Sequence, residues 1–292
     1  MKRPIALLCG LAICAGPVLL GCSHNECNDS SVCGDGNSNN RNGSEAPKKA
    51  SGPPFTFTSR ESDPWDACEN GPGRVYPKAP PLEDIAAHVD IGAARTSAEV
   101  AAHNKRLASF DSNHSAVTAD RTTIDLTLQG KTGRAVTIQN ISVDVVDVKP
   151  TPATGVRVRR IGGCGGSNFS AFLADLDKKT PTLAFKSGEN AAGKMRVRGF
   201  PVQVTESDPE TFTIVAFTTA DVHTFSFVVE WSSEGVRRKT KVNKDNGTPF
   251  SVASGNGAPQ YDYQQQDGTF TPPQFKMNPD DPLGDPVPIE DH

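Results

Sequence analysis

Cys164 lies in a glycine-rich run, Gly162-Gly163-Cys164-Gly165-Gly166-Ser167, and is the first side chain to consider as a nucleophile. A cysteine nucleophile needs an activating base beside it. The histidines His88, His103, His114 and His223 are scattered without a motif and read as surface or capping residues. Nor is the run the G-x-S-x-G elbow of hydrolases, which requires a strand-to-helix setting. Its glycines more simply allow a tight hairpin in which Cys164 approaches another backbone. The chain carries no P-loop, dinucleotide fingerprint or H-E-x-x-H motif. Nothing points to a carboxylate pair for glycoside cleavage. Asp35, Asn37 and Asn39 imitate the start of a calcium loop, but Asn40 stands where Gly is needed and Ala46 where Glu is needed. These residue types argue against an enzyme, and neither a metal nor a cofactor is expected.

The chemistry at the N-terminus is of another kind. Lys2 and Arg3 precede an apolar run from Ile5 to Leu20, closed by Leu19-Leu20-Gly21-Cys22. A positive start, an apolar middle and a small residue before the cut describe a secretory signal. With Cys directly after Leu-Leu-Gly, the stretch resembles the lipobox of bacterial lipoproteins. That resemblance implies cleavage after Gly21 and acylation, palmitate included, of Cys22 as the new N-terminus. An uncleaved signal anchor and an ordinary secreted protein are the alternatives; Pro17, Gly10, Gly16 and Gly21 disfavour a spanning helix. Each reading puts the remaining chain outside the cytoplasm, and the lipobox puts it on the outer face of the cell membrane.

Of seven cysteines, Cys9 and Cys14 leave with the signal and Cys22 takes the lipid. Cys27, Cys33, Cys68 and Cys164 remain in an oxidising compartment, where three pairings are open. The favoured set is a local Cys27–Cys33 bridge and a long-range Cys68–Cys164 bridge, the latter worth up to about 4 kcal/mol on the chain-entropy model. No C-x-x-C pair or nearby His completes a tetrahedral metal site. The formal charge of -4 gives no global attraction to nucleic acid.

Hydrophobic residues make up 36% of the 292, alongside 26 Gly and 23 Pro, so one compact domain with soft flanks is expected. Residues 1–21 are the signal. Residues 22–54 form an Asn/Gly/Ser-rich tether with a random-coil reach of roughly 30 Å. Residues 55–254 form the extracellular domain, and 255–292, with Gln264 to Gln266, Pro272, Pro273 and the acids Asp280, Asp281 and Asp285, a disordered tail.

Within the domain, Phe55-Thr56-Phe57-Thr58 suggests an edge strand, and the proline-dense stretch to Pro81 drapes over the body with Trp65 as a pin. Thr96-Ser97-Ala98-Glu99 reads as a capping box, giving one helix from about Ser97 to Ser109. From Thr122 the period becomes two: Ile124, Leu126 and Leu128, then Val136 and Ile138, then Ile141, Val143 and Val145 before a bulge shifts the phase to Val146 and Val148. Further strands are expected over Gly155 to Ile161, Thr182 to Phe185, Lys194 to Arg198, Thr211 to Phe217, Val222 to Trp231 and Gly235 to Val242, with a last edge strand from Pro249 to Val252. Phe225, Phe227, Val229 and Trp231 make a one-sided stripe suited to a core. Many strands without alternating helices predict a mainly β fold, an immunoglobulin-like antiparallel β-sandwich with one short N-terminal helix.

In three strands basic residues alternate with apolar ones: Arg157 and Arg159; Lys194, Arg196 and Arg198; Arg237, Lys239 and Lys241. Outward-facing and adjacent, they would form a basic face for an anionic envelope polymer or lipid head groups. Solvation of outward strand positions is the plainer alternative.

The motifs Ile141-Ser142-Val143-Asp144-Val145, Gly163-Cys164-Gly165-Gly166 and Phe172-Leu173-Ala174-Asp175-Leu176-Asp177, with Trp231 before a hairpin ending Asp245-Asn246-Gly247-Thr248-Pro249-Phe250, run through the latter part of the chain. From Thr122 to Ser254 it resembles extracellular domains of uncharacterised actinobacterial membrane-tethered lipoproteins. The resemblance implies a fold and a location, and no reaction. The expected function is a lipid-anchored, non-enzymatic protein that binds or senses a component of the cell envelope. A carbohydrate-binding module for wall glycan is the alternative, and an envelope hydrolase a more distant one.

Overall fold

The computed structural model describes residues 52–66, 71–92, 96–131, 133–161, 170–186, 189–190, 193–194, 199–282 and 287–289. They belong to a compact unit running from Ser51 to His292. Along the chain come β1 (Phe55–Glu61), β2 (Arg74–Tyr76), α1 (Leu82–Val89), α2 (Ser97–Asn113), β3 (Val117–Ala119), β4 (Arg121–Gly130), β5 (Val136–Lys149) and β6 (Val156–Ile161). There follow β7 (Ala171–Asp175), β8 (Leu183–Lys186), β9 (Glu189–Asn190), β10 (Gly193–Lys194), β11 (Val202–Val204), β12 (Glu210–Phe217) and β13 (Val222–Ser233). The last are β14 (Val236–Val242), β15 (Phe250–Ala253), β16 (Gln260–Gln264), β17 (Thr269–Thr271), β18 (Phe275–Lys276) and β19 (Val287–Pro288).

The protein is mainly β. A five-stranded sheet has the order β1-β4-β12-β7-β8, and a ten-stranded sheet runs β11-β5-β13-β15-β3-β2-β6-β16-β17 with β14 on β13. Both contribute to one core, where Ile124, Leu126 and Leu128 of β4 and Phe212 and Ile214 of β12 cluster with Phe225, Phe227, Val229 and Trp231 of β13. Alternation of buried and half-exposed residues along β4 is the sequence's period of two made physical. β1 is an edge strand, as its position at the end of the smaller sheet requires. Opposite β13, Val146 and Gln139 have no register partner, so β5 carries two bulges, the first where the apolar phase slips.

Most strand pairs are antiparallel, as expected, and the exceptions β7–β12, β3–β15 and β6–β16 pair in parallel. The strand ending near Val252 is internal, lying between β13 and β3. Among the described residues there are two helices, not one. α2 has the expected capping box, with Glu99 N donating to Thr96 Oγ1 at 3.2 Å and Thr96 N to Glu99 Oε2 at 2.9 Å. α1 follows Pro81 and buries Ile85 and Val89, one helical turn apart. Together the helices cover Val156 and Val158 of β6, Tyr76 of β2 and Tyr263 of β16, with Trp65 in the same cluster.

The described residues from Gly255 to Pro282 are folded onto the body, where a disordered tail was expected. β16 adds to β6 over five residue pairs, Tyr263 is fully buried in the helix-covered core, Arg121 donates to the carbonyl of Pro282, and Lys186 pairs with Asp281. The sequence hid this because Tyr261, Asp262 and Tyr263 lack aliphatic alternation. Among the described residues, no helix is long and apolar enough to cross a membrane.

Candidate functional site

Cys22, Cys27, Cys33, Cys68 and Cys164 lie outside the described residues, as do Arg196 and Arg198; Lys194 is described as backbone in β10 alone. The remaining basic residues do not form one face. Arg157 is 2% exposed, pairs with Asp120 at 2.9 Å, and donates to Gln260 Oε1 and to the carbonyl of Pro72. Arg159 makes a two-pronged contact with Asp262, Nε to Oδ1 at 3.0 Å and a terminal nitrogen to Oδ2 at 2.8 Å. Both sit on β6, which is separated from β14 by β2, β3, β15 and β13. On β14, Lys239 pairs with Glu230 and Lys241 with Asp144, while Arg237 reaches Gln139. For Arg157 and Arg159 the expectation of a water-facing position fails for a physical reason: desolvated guanidinium groups demand carboxylates, and Asp120 and Asp262 supply them. Arg237, Lys239 and Lys241 are exposed as expected. Among the histidines, His103 and His223 are buried rather than surface residues.

A polar constellation that no motif announces gathers at one end of the two sheets. Asp177 follows β7, Thr218 and Thr219 link β12 to β13, His223 lies near the start of β13, and Asn256 sits between β15 and β16. Asp177 accepts from Thr218 Oγ1 at 2.6 Å and from both the backbone N and Oγ1 of Thr219 at 2.8 Å. Burial works to raise its pKa, but these donors and the nearby His223 ring outweigh it and hold the carboxyl below its ordinary value. His223 Nε2 is 3.3 Å from Asp177 Oδ1, inside ion-pair range yet not aligned as a hydrogen bond.

Asp120 ties this end together. Its backbone has φ +56°, its N–H donates to the Ala253 carbonyl, and its own carbonyl accepts from Thr218 N. Its side chain accepts from Gly255 N at 2.7 Å and meets Arg157. Beside it opens a pocket of about 220 Å³, lined by Asp120, Thr218, Thr219, Asn256, Gln260, Lys276, Met277 and Pro279. Asn256 Nδ2 is spent on the Thr219 carbonyl and Gln260 Nε2 on that of Gly255. The lining is therefore fixed from behind: both threonine hydroxyls donate to Asp177 and Gln260 Oε1 accepts from Arg157. This leaves the Asn256 amide oxygen and the Lys276 ammonium beside the apolar Met277 and Pro279.

A second network is structural. Asp111 of α2 accepts from Trp65 Nε1 at 2.9 Å, Tyr76 Oη at 2.7 Å and Arg74 Nε at 3.1 Å. Burial, then the Asp111 charge, pushes the Tyr76 hydroxyl far above its ordinary pKa, so it remains a donor. This hub pins α2 and the proline-dense segment to β2. Comparison with family models, curated proteins and solved structures finds no match for the chain.

Proposed function

We propose that the protein is a lipid-anchored, extracytoplasmic binding protein of the cell envelope that works without catalysing a reaction. The signal and lipobox ending at Cys22 support the anchor, and the Asn/Gly/Ser-rich stretch after it supports a tether. The observation that carries the binding role is the pocket at the sheet ends, where Asp177 and Asp120 are both committed to fixed donors. A carboxyl held below its ordinary pKa is a poor general acid, because acid–base catalysis wants a value near the working pH. Rigidly held amides and hydroxyls instead suit recognition of a small polar ligand. Wall glycan is the second reading, favoured by Thr218, Thr219, Asn256 and Gln260 in the lining.

Isolated, protein-stripped envelopes are the probe. Full-length protein extracted in detergent sediments with them, and Asn256→Ala combined with Lys276→Ala lowers the bound fraction at least roughly fivefold, the worth of about one net hydrogen bond. Competition by soluble wall-glycan fragments marks the ligand as carbohydrate. Equal sedimentation of the two proteins would remove the pocket from the account.

A further inference from the structure

Helix α2 buries His103, Leu107, Phe110 and Asp111 against the body. Leu107 and Phe110 join the apolar cluster, and Asp111 has three donors. His103 is 4% exposed, and its Nε2 has no hydrogen-bond partner. Facing the same helix layer, Arg160 shares the side of β6 that carries Val156 and Val158 and lies opposite Tyr263 in the β16 register. The Arg160 Nε is likewise buried and unpartnered. Arg106, one turn along α2 from His103, is exposed at the rim.

Among the described residues, neither Arg106 nor Arg160 forms an ion pair with a carboxylate. That sets them apart from Arg74, Arg157 and Arg159, each of which has its own aspartate. Burial first, then the charges of Arg106 and Arg160, lowers the His103 pKa, and the opposing carboxylates Asp90 and Asp63 act more weakly. Two buried nitrogens, His103 Nε2 and Arg160 Nε, thus lack a hydrogen-bond partner on the facing sides of α2 and β6, with the Arg106 charge at the rim. A buried, unsatisfied donor and an uncompensated guanidinium are both costly, and an anion relieves both.

We infer that His103, Arg106 and Arg160 form a binding site for a small oxyanion of the phosphate or sulfate class, taken free or as the end group of a larger ligand. The site is distinct from the pocket beside Asp120 and does not depend on the reading given to that pocket. Arg160 supplies a planar fork of donors, Arg106 closes the rim, and the Nε2–H tautomer of His103 donates from the buried side.

The test titrates the full-length protein in detergent with inorganic phosphate, following the His103 ring signals by NMR. Saturable shifts are expected. Arg160→Gln should weaken binding roughly tenfold, the loss of a charge-assisted hydrogen bond. Arg106→Gln, at an exposed helix position that leaves folding intact, should weaken it by roughly threefold through lost charge. With sulfate, which does not titrate near neutrality, affinity should rise as the pH falls, because bound anion favours protonated His103 against the field of Arg106 and Arg160. Glycerol phosphate binding more tightly than inorganic phosphate identifies an end group; equal binding identifies the free ion. Absence of saturation by either, or an unchanged constant in both arginine variants, overturns the site.

Discussion

Asp177 shows how a single residue sets the character of its neighbourhood. Three donors from Thr218 and Thr219 converge on one carboxylate, and its folded-state pKa lies below the ordinary 3.8. A depressed carboxyl contributes stability that is complete above the unfolded value and lost as the pH falls through the folded one. Thr219→Val, which removes one donor, should therefore unfold at lower urea than the wild type at about pH 6, and the gap should close toward about pH 2. Urea midpoints across that range check the sign; a gap that stays constant down to acid would show that the donors do not hold the charge. Arg157 and Arg159 teach the same lesson from the cationic side, since their alternation with valines in β6 looks solvent-facing until their aspartates are placed.

One of those aspartates comes from an element whose existence the sequence concealed. Asp262 belongs to β16, a strand beyond the apparent end of the domain, and it neutralises Arg159 of β6 across a parallel pair. Replacing Asp262 with Ala leaves the Arg159 guanidinium buried without its counter-charge and should cost roughly 3 kcal/mol. Arg159→Met in the same chain should recover part of that loss. Urea unfolding of the two variants provides the measurement, and a wild-type midpoint for Asp262→Ala would return the segment to the status of a loose tail. The strands with aliphatic alternation, β4, β5, β12 and β13, were legible, as were the α2 capping box and the bulge at Val146, because a half-buried strand and a helix cap write local patterns. Missed were α1, whose apolar contact is limited to Ile85 and Val89, and the short strands β2, β3, β7, β11, β16 and β17, whose partners are distant in sequence. The pocket beside Asp120 was illegible for the same reason: Asp177, Thr218 and Asn256 are brought together by sheet ends.

At the scale of the molecule, the two sheets and the helix-covered flank form one body whose first strand begins at Phe55, and we propose the Asn/Gly/Ser-rich stretch from Cys22 as its leash. In the proposed reading, a lipid at Cys22 would keep the pocket beside Asp120 near its ligand without further affinity for the membrane. The claim on which this account turns is the anchor. Mass spectrometry of the mature N-terminal peptide tests it most directly. The account predicts a chain beginning at Cys22 and carrying diacylglycerol, with the modification abolished by Cys22→Ser; a chain that retains Met1, or that begins at Cys22 without lipid, would contradict it.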